Sequence, residues 1–254
     1  MMNKHNKKYV LSIGGFDPSG GAGLLADNKT IERIGGYGIH AISALTYQNH
    51  NSFEQVEWLD ADKIIRAIKL LNEEYDYEVV KIGLIQNLDV LNYIVDYLGN
   101  KYKIIWDPIV KASAGFEFHK VINQTELTTL LQKIYLICPN IDEAKFLASK
   151  ENLKDCASML SSLCNVLLTG GHNKESIGTD TLYTLRGDKI DIHNSNPNAT
   201  DKHGSGCVLS SAIATFLSNG DTLLDACKNA KNYTSNYLAS HPSLIGYHAE
   251  HIFH

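Results

Sequence analysis

The chain reads as an α/β protein built on a mostly parallel sheet with helices over both faces. Three observations lead there. Apolar runs of strand length alternate with segments apolar at helical spacing along nearly all of the 254 residues. No repeat, low-complexity block or linker interrupts the alternation, so residues 1–254 are taken as one domain. Three of the five prolines (Pro18, Pro108 and Pro139) directly follow a strand end beside an acidic or amide residue. Three stiffened loops then share the carboxyl edge of the sheet, where parallel sheets carry their chemistry.

Taken in order, Met1–Lys8 is polar and basic and reads as a frayed tail, since it has no apolar core of a signal peptide. Tyr9–Gly15 is the first buried strand. It enters a glycine-rich loop, Phe16–Gly23, and then a helix that Gly35 and Gly36 stop. Ile39–Tyr47 is a second strand ending in Gln48, and Phe53–Leu59 a third. Asp60 caps a helix whose Ile64, Ile65, Ile68 and Leu71 share one face. Val79–Leu84 is a strand, Leu88–Leu98 a helix and Tyr102–Trp106 a strand ending in Asp107-Pro108. Ser113–Gly115 makes a loop. Asn123 and Glu126 start a helix over Leu127–Ile134 in the manner of a capping box. Tyr135–Cys138 is a strand, followed by a helix running to about Ser149. Val166–Thr169 is a strand running into Gly170-Gly171-His172. Thr181–Leu185 and Lys189–His193 form an antiparallel hairpin turned by Arg186-Gly187-Asp188. Two helices close the chain, one following the His203–Cys207 turn over Val208–Leu217 and one over Leu223–Leu238.

Composition narrows the function. Hydrophobic residues at 44% and charged residues at 20% suit a globular protein with a sizeable core. A net charge of −5 with scattered Lys and Arg argues against nucleic acid as the main partner. No apolar run approaches the ~20 residues that span a bilayer. The 5 cysteines, at 138, 156, 164, 207 and 227, are odd in number and form no CxxC pair. They read as reduced thiols of a cytoplasmic protein and argue against zinc.

The chemistry-bearing stretch is His203-Gly204-Ser205-Gly206-Cys207. A turn of small residues opening an apolar helix presents unpaired N–H groups and a dipole that favours an anion; equally, the glycines could serve close helix packing. Cys207 falls in the first turn, where a thiol pKa is expected to drop. The loop GGFDPSGGAG lacks the GxGxxG of dinucleotide sites and reads as a rigid pocket wall. Asp27 is either an exposed first-turn carboxylate or a ligand contact, and Gln48 either a ligand amide or a loop brace. Neither GxSxG, HExxH nor a Walker pattern is present. A Cys207–His203 hydrolase is disfavoured because sequence neighbours rarely face one another. Anion turn plus carboxylates at Asp107 and Glu143 suits phosphoryl transfer outside the P-loop class.

The segments GGFDPSGGAGLLAD, ALTYQN, KIGL, WDPI, CPNIDEA, TGGH and HGSGCVLSSAIA, in that order, closely resemble the motifs of bacterial hydroxymethylpyrimidine/phosphomethylpyrimidine kinases. These are thiamine-biosynthesis enzymes of the ribokinase-like superfamily, with pyridoxal kinases as near relatives, and the resemblance spans about Leu11 to Leu238. It implies a three-layer α/β/α sandwich, an ATP- and Mg2+-dependent kinase acting on a small pyrimidine, and a homodimer. Gly15, Asp27 and Gln48 would line the pyrimidine site, with Leu84 where the family often has methionine. Asp107 and Glu143 would support Mg2+ and phosphates, with Asn140, Thr169 and Gly171 on the nucleotide. Gly204, Ser205 and Gly206 would form the anion hole, and Cys207 would stand where sugar kinases carry an aspartate base, acting as base or only as a donor. Thr169 replaces a frequent lysine, for which Lys111 could compensate, and Ser205 replaces threonine. Pyridoxal kinase, or a pyrimidine-binding protein without catalysis, would be the alternatives.

Overall fold

In a computed structural model, the structure describes residues 7–111, 122–170, 178–193, 196 and 199–248. The expected Ser113–Gly115 loop and the Gly171 and His172 positions lie outside them. Nine strands and eight helices follow the chain among the described residues: β1 (Tyr9–Phe16), α1 (Gly23–Ile34), β2 (Tyr37–Gln48), β3 (Phe53–Trp58), α2 (Ala61–Glu74), β4 (Val79–Ile82), α3 (Leu88–Leu98), β5 (Lys103–Trp106), α4 (Gln124–Leu131), β6 (Leu136–Ile137), α5 (Ile141–Ala148), α6 (Leu153–Ser161), β7 (Asn165–Leu168), β8 (Asp180–Tyr183), β9 (Lys189–Ile192), α7 (Ser205–Ser218) and α8 (Leu223–Ala239).

The strands form one sheet in the order β3-β2-β1-β4-β5-β6-β7-β8-β9. The stretch from β2 to β7 is parallel throughout, and antiparallel pairs occur only at its margins: β2 with β3, β7 with β8, and β8 with β9. Strand alternation explains the three layers. Leu11, Val80, Ile104, Trp106, Ile137 and Val166 face a core shared with α2–α6. Their neighbours Val10, Val79, Ile105, Leu136 and Leu167 face a second core with α1, α7 and α8. The chain leaves β1 toward β2 on one side and returns to β4 on the other. Such a reversal opens a crevice outside the carboxyl ends of the two strands.

Several expectations change. β2 begins at Tyr37, two residues before the anticipated Ile39, because Tyr37 N–H pairs with Lys8 C=O. Lys7 lies 4.6 Å from the centre of the Tyr37 ring, so the tail is tied down at its last two residues. Asp60 occupies the cap position of α2 without a side-chain cap bond; its carboxylate instead pairs with Lys63 at 3.0 Å. The helix α6 has no counterpart among the expected elements. It is short, yet Asn152 caps it by accepting from Lys154 and Asp155 N–H.

Candidate active site

Two glycine-rich loops meet at the carboxyl edge. The first follows β1. Gly23 opens α1 at φ 57°, and a Cβ there would lie 2.3 Å from Gly15 C=O, so only glycine fits. The second loop is the turn before α7. Gly204 sits at φ 75°, and a Cβ on it would lie 2.2 Å from Gly21 C=O. The first helical bond of α7 runs from Val208 N–H to Gly204 C=O at 3.0 Å, which leaves the Gly206 and Cys207 N–H groups ahead of the ladder. Gly206 is exposed and Ser205 partly so. The packing reading holds at Gly204, whose backbone has no room for a side chain, while Gly206 lies open at the amino-terminal end of α7.

Asp107 lies directly under this opening. A Cβ on Gly206 would be 3.8 Å from each of its carboxylate oxygens, and Ser210 donates to one of them at 3.0 Å. Burial pushes the Asp107 pKa up, while Lys81 and the Ser210 bond pull it back. Glu143 is locked by a capping box: Asn140 N–H donates to its carboxylate at 2.8 Å, and Glu143 N–H donates to the Asn140 side chain at 2.9 Å. Burial, and then the charge of Asp107, push the Glu143 pKa up to about 8. A carboxyl whose ionisation is opposed by a second one nearby suits a divalent cation, and magnesium needs only one or two of them beside substrate phosphates. Thr169 joins this group: its N–H donates to Pro139 C=O at 2.9 Å, and it bridges Asn140 in parallel fashion. Beyond it, Asp180 accepts from Gly170 N–H at 3.0 Å and pairs with Lys231 at 2.8 Å.

Of the residues expected to line a pyrimidine, Gly15, Gln48 and Leu84 come together, whereas Asp27 is engaged elsewhere. Gln48 donates to Thr46 Oγ1 at 2.8 Å, the Thr46 methyl would lie 3.6 Å from a Cβ on Gly15, and Leu84 would lie 3.0 Å from it. Gln48, Gly15 and Leu84 thus share one wall. Asp27 is neither an exposed carboxylate nor an open ligand group: it is fully buried, accepting from Ser12 at 2.6 Å and pairing with Lys81.

Lys81 is the feature that sequence reasoning passes over. Its ammonium lies where a Cβ on Gly83 would be only 2.8 Å away, so it turns toward the active edge past the end of β4. Burial works against its charge, but Asp27, Cys207 and Asp107 outweigh this and raise its pKa. A charged residue in the apolar run Val79–Leu84 is the signal available. Asp17 and His203 also escape notice as a pair. Asp17 accepts from Ser19 N–H, Ser19 Oγ, Ala22 N–H and His203 Nε2, each at 2.9 Å. Burial acts to raise the Asp17 pKa, yet the bonds from His203 and Ser19 hold it below its ordinary value.

Cys207 corrects the expectation of an activated thiol. It is buried, and although Lys81 and a Gly23 N–H bond favour the thiolate, burial prevails and pushes its pKa up to about 12. The helix terminus does not offset the loss of water. A cavity of about 260 Å3 is walled by Ile85, Trp106, Pro108, Ile109 and Phe146 among others, beside the carboxyl ends of β4 and β5.

The model of the family described as phosphomethylpyrimidine kinase matches residues 17–251. A hydroxymethylpyrimidine/phosphomethylpyrimidine kinase of Aquifex aeolicus is 34% identical over 248 residues, covering 92% of this chain and 96% of that protein. The crystal structure of a phosphomethylpyrimidine kinase from Clostridium difficile superposes with a TM-score of 0.72 at 31% identity, covering 88% of this chain and 96% of that one. A Staphylococcus aureus pyridoxal kinase in complex with ADP gives a TM-score of 0.78 at 22% identity, covering 92% and 89%, a likeness of fold.

Proposed function

The chain belongs to the phosphomethylpyrimidine kinase family, and from that premise we propose that it uses ATP to phosphorylate 4-amino-5-hydroxymethyl-2-methylpyrimidine and then its monophosphate, giving the diphosphate for thiamine synthesis. One observation carries the reading: the exposed Gly206 at the start of α7 lies beside the Asp107 carboxylate, with the Gly15–Gln48–Leu84 wall at the same sheet edge.

The Gly15, Leu84 and Gln48 wall holds the pyrimidine ring, with the Gln48 amide presenting a donor and an acceptor to its edge. The Gly206 and Cys207 N–H groups bind the moving phosphoryl group and stabilise the charge that spreads over its oxygens. Asp107 and Glu143 would hold magnesium, which when bound would neutralise phosphate charge. Thr169 and Asn140 would flank the nucleotide, and Thr169 supplies no side-chain charge to its phosphates where the family often has a lysine. In the loose transition state of phosphoryl transfer the attacking hydroxyl keeps its proton until late and can pass it to an oxygen of the transferred phosphate, so a strong base is not required. Cys207 then acts as a neutral thiol beside the anion turn.

A homodimer and a cytoplasmic setting belong to the same reading, supported by the family resemblance. No described helix is long and apolar enough to cross a membrane. The test is ADP release by the purified protein: dependence on both the pyrimidine and Mg2+ supports the reading, and release that ignores the pyrimidine removes it.

A further inference from the structure

The turn that would receive the phosphoryl group is not held by its own helix alone. It is fastened to the substrate-side loop, and we propose that the Asp17–His203 hydrogen bond is a positioning latch for phosphoryl transfer, with both residues acting through the Gly204–Gly206 backbone. The proposal rests on the kinase reading above and extends it to two residues that reading gives no role.

Four observations converge. First, Asp17, at the carboxyl end of β1, gathers its own loop by accepting from Ser19 and Ala22, and accepts one further bond, from His203 Nε2 at 2.9 Å. Second, both partners are buried, at 1% and 5% side-chain exposure, so water does not replace the bond. Third, His203 immediately precedes Gly204, whose backbone is pressed on Gly21 and Ala22; a Cβ at Gly204 would lie 2.6 Å from Ala22 Cα. Fourth, the other side of His203 is anchored as well: its N–H donates to Leu244 C=O at 2.9 Å, and Ile245 packs where a Cβ on Gly21 would be. Three segments distant in sequence therefore clamp the residue that sets the direction of the anion turn.

His203 Nδ1 is buried and has no hydrogen-bond partner among the described residues. The ring is thus held by Nε2 alone, which makes the latch specific to an N–H at that reach. The substitutions His203→Gln and His203→Asn differ in this respect: the glutamine amide nitrogen extends about as far as Nε2, and the asparagine one stops near Nδ1. Displacing catalytic donors by about 1 Å costs as much as ~10²-fold in rate.

The experiment compares the wild-type protein with His203→Gln, His203→Asn and Asp17→Asn, reading kcat and KM with the pyrimidine and Mg-ATP, and amide hydrogen exchange over residues 204–208. The latch predicts that His203→Asn and Asp17→Asn lose about 30-fold or more in kcat with pyrimidine KM within about threefold, and exchange faster over 204–208. His203→Gln should retain kcat within about fivefold and keep wild-type exchange. Equal effects of the two amide substitutions, or unchanged kcat and exchange in all three variants, overturn it. Failure of the kinase reading looks different: the wild-type protein itself shows no turnover, while the exchange contrast between His203→Gln and His203→Asn persists and still decides the latch. Should His203→Asn fold poorly, Asp17→Asn weakens the same bond from the other loop and takes its place.

Discussion

Lys81 donates its ammonium to both carboxylate oxygens of Asp27, at 3.0 and 2.9 Å, and neither side chain reaches solvent. The pair lies beneath the active edge, with Asp107 and Cys207 both within its electrostatic reach. One buried cation thus stands among two carboxylates and a thiol. Breaking such a pair by removing one partner leaves an uncompensated buried charge, whereas replacing both by apolar groups is often tolerated.

Lys81→Met should therefore destabilise the protein by about 3–5 kcal/mol, and the double variant Lys81→Met/Asp27→Leu by much less. Denaturant unfolding followed by circular dichroism measures both. A double variant as unstable as the single would show that the pair is not what Lys81 contributes.

Cys207 bears on where the substrate proton goes. With its pKa pushed up to about 12 by burial, the free protein holds a thiol at neutral pH. Cys207→Ala should then lower kcat by no more than about tenfold, and iodoacetamide should leave the folded wild-type protein active, since thiols do not alkylate readily. A loss of ~10²-fold or more would assign the proton to the sulfur.

The carboxyl-terminal segment gives a pH dependence with a definite sign. His248 accepts or donates at Tyr233 Oη, 3.0 Å away, and its ring packs at a tilt against Tyr237 with centroids 4.6 Å apart. Burial, and then Lys29, lower its pKa from 6.5 to about 4. The unfolded chain takes up this proton below 6.5, while the folded chain refuses it until about 4. The contribution is therefore complete above 6.5 and is lost as pH falls toward 4. Across that window the Tm of the wild-type protein should fall more steeply than that of His248→Phe, which keeps the ring contact. Parallel slopes would contradict the assignment.

The fold was legible in the sequence wherever periodicity carried it. Leu88–Leu98 reproduces its expected span and Leu223–Ala239 runs one residue past the expected Leu238, because an apolar stripe and an asparagine or threonine cap mark each. α6 escaped because nine residues hold too little periodicity, although Asn152 and Asp155 carried a capping signal. In the site, glycines and strand-end carboxylates located Asp107, Glu143 and the Gly204 turn, since backbone demands leave traces in residue type. Burial leaves none at a single position. That is why Asp27 was expected near solvent, Cys207 was expected to be acidic, and the pairing of Asp17 with His203 across 186 residues went unseen.

The most direct test sets the aminopyrimidine and pyridoxal side by side as substrates of the purified protein with Mg-ATP, with products identified by mass. The account predicts a pyrimidine monophosphate that converts on to the diphosphate, with pyridoxal turned over far more slowly. Brisk pyridoxal phosphate formation with no phosphorylated pyrimidine would contradict it.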